Sequence, residues 1–463
     1  MGFQKNVSPP VAEVEQNWPQ ITTIFIGALA GLSNGLLFSW PSPFLVKIAQ
    51  DKVNYNISEE EGAYFSIIQP ISMMIACPIF AILADHFGRK VALLLIVVPQ
   101  LFSWLLAGFA KSVYVFYAAR FLSGLSDGCL FVTLPMYIGE VANPTVRGTW
   151  GNLLPISYYI GEFLINVIGS KFDTRVTTYI CLPLPILYLI LFSLMPESPY
   201  YYIMKGKEEE AIKSLKFLKR MKNVDSIYKQ LKFDVERQLS ERGTWVDMIK
   251  IKSNRKGLIA GMFLRLSQQL SGFTVFLTFT QLIFQKSGGN VSHEVSSILY
   301  LGSSLILNLI GVFLIVPFFN RLTCFVTSNS ASGVILFLMS AYIYIDDNTS
   351  VDLSSFKWMP LTFMILYQVF TSFGLSLIPT LMLSELYSTS IKSKAMVILS
   401  ITFGLGIFVA STIFYQMNIH LGFYSPFLFF SACCCVSAIL SYYVIPETRG
   451  KTLEEIQQML KKN

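Results

Sequence analysis

The chain has 463 residues, of which 53% are hydrophobic and only 14% are Asp, Glu, Lys or Arg, and its mean hydropathy is +0.55. Soluble domains carry about a quarter charged residues, so a soluble globule of this length is excluded. The formal net charge of +7 suggests nucleic acid until the positions of the basic residues are considered.

Crossing a hydrocarbon core of roughly 30 Å takes about 20 apolar residues in a helix, with every backbone group satisfied inside the segment. Such segments fall at 20–43, 63–84, 91–110, 112–138, 148–170, 176–196, 257–285, 293–319, 325–345, 358–384, 393–417 and 422–446. The expected fold is therefore an all-α membrane protein of twelve transmembrane helices. Residues 1–19 form a polar tail carrying Glu13 and Glu15. This does not resemble a cleavable signal peptide, and the first span is expected to act as its own insertion signal. With both termini on one side, most of the 35 Lys and Arg fall on that side, which the positive-inside rule makes cytoplasmic. The basic excess is then topology, and no nucleic-acid partner is expected. Asn56, Asn290 and Asn348 each begin an Asn-x-Ser sequon in a loop placed outside, whereas the Asn6 sequon falls inside. Cys77, Cys129, Cys181, Cys324 and Cys433 to Cys435 lie in spans or beside a cytoplasmic loop. No disulfide framework is implied, and small apolar packing is their expected role.

The domains follow from the same pattern: a six-helix bundle over 20–196, a charged linker over 197–256, a second bundle over 257–446 and a tail over 447–463. In the linker, Ile212, Leu215, Leu218 and Met221, then Tyr228, Leu231, Val235 and Leu239, recur at helical spacing, predicting amphipathic helices against the cytoplasmic face. The halves echo each other. Glu140 precedes Arg147 as Glu385 precedes Lys392, and Pro196-Glu197-Ser198 closes the sixth span as Pro446-Glu447-Thr448 closes the twelfth. Repeats of this kind place a substrate site near the midplane between halves that rock against one another.

The segments AILADHFGRK (81–90), RFLSG (120–124), PMYIGEVANPTVRG (135–148), PESP (196–199), QQLSG (268–272) and PETRGKTLEEI (446–456) resemble, in order, the signatures of the sugar porter family of the major facilitator superfamily. Ala81 stands where Gly is usual. Within that family the chain is most similar to arthropod facilitated trehalose and hexose transporters. The resemblance implies the major facilitator fold in two six-helix halves, sugar transport across the plasma membrane by alternating access, a small-molecule sugar substrate, no cofactor and a monomer in the bilayer. His86, His293 and His420 do not cluster, and no nucleophile arrangement or phosphate loop is present, so neither a metal site nor an enzyme is expected.

The resemblance also implies site residues. Gln268 and Gln269 match the family's sugar-binding pair, and Asn308 matches a sugar-contacting Asn; interhelical hydrogen bonding is their alternative role. Amides suit a weak site, because each offers donors and acceptors without a buried charge. Other positions depart from the pattern. Thr274 stands for Asn, Thr380 for the covering Trp, Ser372 for Glu, Pro155 for Gln, and Phe403-Gly404 for Asn-Trp. The rewritten pocket points either to a solute other than glucose or to a sugar sensor that does not transport.

Asp85, Arg89, Lys90, Glu140, Arg147 and Glu197, with Glu385, Lys392, Glu447 and Arg449, match the family's cytoplasmic gating charges. In the second copy of the loop signature only Arg321 survives, so a lopsided lattice is expected. Within the spans, Arg120 and Glu162 sit at similar depth, predicting that they pair, with Asp127 near the central cavity. An extra carboxylate raises proton coupling as an alternative, although symporters of the family carry Asp where Ala30 stands. Arg265 is expected to reach toward the cytoplasm.

Overall fold

The computed structural model describes residues 15–240, 243–311, 319–387, 391–449, 451 and 453–462. The Asn6 sequon and residues 312–318 of the expected eighth span lie outside them. Among the described residues every regular element is helical.

Eleven helical segments are long and apolar enough to cross a membrane: Trp18–Gln50, Glu59–Phe87, Arg89–Phe109, Val113–Val141, Pro144–Lys171, Thr174–Ser193, His293–Ile310, Arg321–Asn348, Ser354–Leu383, Lys394–His420 and Ser425–Val444. The remaining expected span, the seventh, is divided into Lys252–Leu270, Phe273–Thr278 and Thr280–Ser287. Local chemistry sets many of the helix starts. Ser58 and Glu61 form a reciprocal capping box, Asn143 and Asp173 cap with their side chains, and prolines occupy first turns where no N–H is needed. Large apolar side chains such as Ile82, Phe102, Ile190, Val334 and Tyr443 are exposed around the bundle. Gln69, Gln100, Asn166, Gln268, Gln269, Asn308 and Gln368 are buried. This inversion is what lipid as solvent demands.

The linker folds as Pro199–Met204, Glu208–Lys219, Asp225–Ser240 and Trp245–Lys250. Ala211, Leu215, Val224 and Tyr228 form a small core with Ile212, Met221 and Leu231 packed against it. Leu218 instead packs into the first bundle, and Lys219 pairs with Glu15 at 2.8 Å, so the start of the linker is tied to the first half, while Met248 near its end packs into a core of the second. Leu239 is exposed. Of the cysteines, Cys434 is buried, while Cys435 is exposed among other lipid-facing side chains rather than packed inside.

The halves meet tightly on the sequon-bearing face. There Ser297 Oγ donates to Asn166 Oδ1 at 3.0 Å, Lys286 pairs with Glu59 at 2.6 Å, and Leu45, Val46 and Ala63 join the core formed by Phe273 to Phe284. On the linker-bearing face the charges expected to gate pair within each half. Glu197 accepts the backbone N–H groups of Arg89 and Lys90 at 3.0 Å, offsetting the exposed donors and the dipole at that helix start. Burial pushes the Glu197 carboxyl above its ordinary value, against the pull of those N–H groups. Gly88, at φ +108°, leaves no room for anything larger, because a Cβ there would lie 2.2 Å from the Glu197 carboxylate. Arg89 pairs with Glu140 and with Asp85, each at 3.0 Å, and Ser198 donates to Glu140. Lys90 Nζ reaches the Ser193 carbonyl. Arg147 stays apart from this cluster and donates to the Gly139 carbonyl at 3.3 Å.

The second half repeats the device. Glu447 accepts the backbone N–H groups of Arg321 and Leu322 at 3.2 and 3.1 Å and that of Arg449 at 2.9 Å. Arg321 pairs with Glu385 at 3.2 Å, and Thr448 donates to Glu385 at 2.5 Å. The lattice is therefore less lopsided than the degraded motif implies. Its working parts are one Arg at a helix start and two carboxylates, and these are present in both halves. Arg147 and Lys392 face each other across the seam closely enough to repel.

Removing Glu140 takes from the Arg89 cation the more buried of its two ion-pair partners, at a cost of up to about 3–5 kcal/mol. Glu140→Ala should accordingly lower the melting temperature of the detergent-purified protein more than the Arg89→Ala, Glu140→Ala double variant does. Asn56, Asn290 and Asn348 are all exposed. In a glycosylating host, replacing each with Gln should remove one step of glycosidase-sensitive mobility, and no further step should belong to Asn6.

Candidate substrate site

Irregular backbone at membrane depth survives only where protein or water satisfies it. Two spans of the second half are broken in this way. The seventh turns at Ser271 and Gly272, the latter at φ +84°, directly after the Gln pair. The tenth is interrupted between Met359–Phe373 and Ile378–Glu385, which frees the backbone of Ser376.

The two breaks bring the expected amides together. Gln268 Nε2 donates to the Ser376 carbonyl at 3.3 Å. Ser376 Oγ donates to Asn308 Oδ1 at 2.6 Å and lies 2.9 Å from the hydroxyl of Tyr159, on the first half. Asn308 Nδ2 donates to the Ser304 carbonyl at 2.8 Å, and Gln368 donates to Ser304 Oγ and Ser372 Oγ at 3.0 and 2.9 Å. Gln269 is 0% exposed, yet neither its amide nitrogen nor its amide oxygen has a partner. Each such atom costs about 1–3 kcal/mol unless water or a solute meets it. Gln281 and the Tyr300 hydroxyl are also buried without partners. Thr274 is buried just past the Gly272 turn.

Arg265 departs from expectation. It turns back toward the site, where Nη1 donates to Gln268 Oε1 at 3.0 Å and to Thr380 Oγ1 at 3.3 Å. Its guanidinium stacks 4.8 Å from the Phe403 ring centroid. Phe403 in turn lies 6.2 Å from Phe131 of the first half, so these groups line the seam. Thr380 is exposed, whereas Gln268, Gln269 and Asn308 are buried. A cavity of about 260 Å³ between the halves, lined by Leu45, Val46, Glu59, Leu282 and Gln285, opens on the sequon-bearing face rather than at the glutamines.

The intramembrane charges also differ from expectation, because Arg120 does not pair with Glu162. Its guanidinium donates to the carbonyls of Phe65 at 2.7 Å, Phe38 at 3.3 Å and Leu37, and to Gln69 Oε1. The carbonyls of Leu37 and Phe38 end the Trp18–Phe38 helix, where no fourth-residue N–H follows, and the cation satisfies them. Gln69 then bridges to the second charge, donating to Asp127 at 2.5 Å, while Tyr158 OH donates to Asp127 at 3.5 Å. Glu162 is 3% exposed and has no ion pair among the described residues. It lies near enough to Asp127, Tyr158, Tyr159 and Tyr300 to act on each electrostatically.

Sequence pattern brought forward Gln268, Gln269, Asn308 and Ser372, and missed Ser376, Tyr159, Gln368 and Gln69. Polarity at membrane depth was the available signal for the two glutamines. For Ser376 there was none, because its exposed carbonyl results from the helix break.

The family described as "Sugar (and other) transporter" matches residues 21–460. The "Facilitated trehalose transporter Tret1" of Drosophila grimshawi is 30% identical over 449 residues, covering 96% of this chain and 48% of that protein. The protein of the same name from Culex quinquefasciatus is 28% identical over 466 residues, covering 99% of this chain and 89% of that one. The chain spans about half the length of the first curated relatives it matches. Among solved structures, the "MFS (major facilitator superfamily) proton:xylose symporter XylE bound to 6-bromo-6-deoxy-D-glucose" superposes with a TM-score of 0.74 at 19% identity, covering 96% of this chain and 100% of that one. The inward-open xylose transporter XylE from E. coli gives 0.75 at 18% identity, covering 94% and 98%. These matches carry the fold and the family together: the chain belongs to the sugar (and other) transporter family, a multi-pass membrane protein on the major facilitator fold.

Proposed function

We propose that the chain is a facilitative carrier of a small hydroxylated solute of the hexose or trehalose class, working by alternating access in the plasma membrane with both termini cytoplasmic. The observation that carries this reading is the amide and hydroxyl network at the two helix breaks. It joins Gln268, Ser376 and Asn308 to Tyr159 of the opposite half, beside the buried, unpaired amide of Gln269. Such groups exchange water for solute hydroxyls at little net cost, and a millimolar site needs only about 4 kcal/mol. Rocking would break the Tyr159 to Ser376 contact, so occupancy and gating share one bond. The Tret1 relatives are named for trehalose and support the substrate class. The charge lattice, paired within each half, supports gating by moving with its own half, while weaker contacts across the seam, of about 1 kcal/mol each, rearrange within a cycle.

Cells expressing the chain should take up radiolabelled glucose, fructose or trehalose. Gln269→Ala and Asn308→Ala should each cut the initial rate by about tenfold with surface expression unchanged. A protein that binds sugar at the surface yet gives no flux would make it a sensor.

A second reading, proton coupling, is favoured by the buried Glu162 carboxylate, which has no cation beside it. Under that reading, uptake falls when the external medium is made alkaline or a protonophore is added, and Glu162→Gln abolishes that dependence. Uptake indifferent to both treatments removes it.

A further inference from the structure

Arg265 is a cation at the substrate amides without an anion. Its Nη1 is engaged by Gln268 and Thr380 and its plane lies on Phe403, but Nε is buried without a partner. No Asp or Glu pairs with it among the described residues. Asp127 and Glu162 are carboxylates of the first half at membrane depth. Of these, Asp127 is occupied by Gln69 and Tyr158, and Glu162 makes no ion pair. Glu385 is engaged by Arg321. A guanidinium in a membrane seam is costly unless it is neutralised or wet. Stacking on a ring fixes its plane, and the buried, unpartnered Nε belongs with Nη2 to the edge that accepts a carboxylate through two parallel hydrogen bonds.

Resting on the transport reading above, we infer that this site selects a hydroxylated solute bearing one carboxylate, of the uronate or aldonate type. Arg265 receives the carboxylate, while Gln268, Gln269 and Asn308 receive the hydroxyls. One guanidinium matches one negative charge; a phosphate dianion would leave charge uncompensated. The same geometry accounts for the rewritten pocket. Phe403 stands where the family pattern has Asn, and it serves the arginine's face. Thr380 stands where the family pattern has the Trp that covers a neutral sugar, and it serves the arginine's edge.

The purified full chain in proteoliposomes decides this by counterflow of radiolabelled glucuronate, gluconate, glucose and glucose 6-phosphate at pH 7. A charge-assisted pair predicts that the carboxylates enter about ten- to a hundredfold faster than glucose at low concentration. Arg265→Gln should bring their rate down to that of glucose or below, and Arg265→Lys should keep part of the preference. Glucose flux that equals or exceeds carboxylate flux overturns this inference and leaves sugar transport standing, as does Arg265→Gln slowing all solutes alike, which would make Arg265 a positioning residue for Gln268. Preference for the phosphate ester over the carboxylates also overturns it. If a folded, monodisperse protein carries none of the four and none raises its melting temperature, this inference fails, and the transport reading falls with it only when fructose and trehalose also give no flux.

Discussion

Every backbone N–H and C=O placed in hydrocarbon must find its partner within the protein, and the rest of this molecule follows from that constraint. It makes the described elements helical and turns apolar side chains outward. It also decides where helices can stop. The breaks at Gly272 and between Phe373 and Ile378 fall on the seam between the halves, where amides and hydroxyls replace the lost ladder bonds. The polar cluster proposed as the solute site therefore lies where helical regularity is given up.

The same constraint organises the charges. Arg120 shows it most directly, since a buried guanidinium satisfies the carbonyls that end the first helix and reaches Asp127 only through Gln69. At the linker-bearing face, Glu197 and Glu447 do the complementary work by receiving backbone N–H groups at helix starts. These carboxylates are structural before they are functional. Because each is held by its own half, rocking need not break it, and only weaker contacts across the seam have to change.

Several contacts across the seam define the state described. Ser297 to Asn166 and Lys286 to Glu59 hold the sequon-bearing face shut, and Tyr159 to Ser376 ties the site itself. On the other face the like-charged Arg147 and Lys392 lie close enough to interact, and Thr380 is exposed. An alternating mechanism needs two arrangements of similar free energy, and a handful of exposed or water-reachable contacts supplies a difference of the right size.

By itself the sequence determined the helical membrane fold, the pairing of the halves and the candidacy of Gln268, Gln269 and Asn308. Hydropathy runs, charge asymmetry and local motifs are properties of contiguous residues. It did not determine partners. Arg120 and Glu162 at equal depth suggested a pair, but depth along a helix says nothing about rotation around it, and the carbonyls of a broken helix outcompeted the carboxylate. Arg321 alone looked like a remnant, yet it rebuilds the lattice because Glu385 and Glu447 come from distant segments. The direction of Arg265, the Ser376 carbonyl that receives Gln268 and the unpaired amide of Gln269 were decided only by tertiary structure. Each depends on where a neighbouring helix breaks and which side chain it leaves facing the seam.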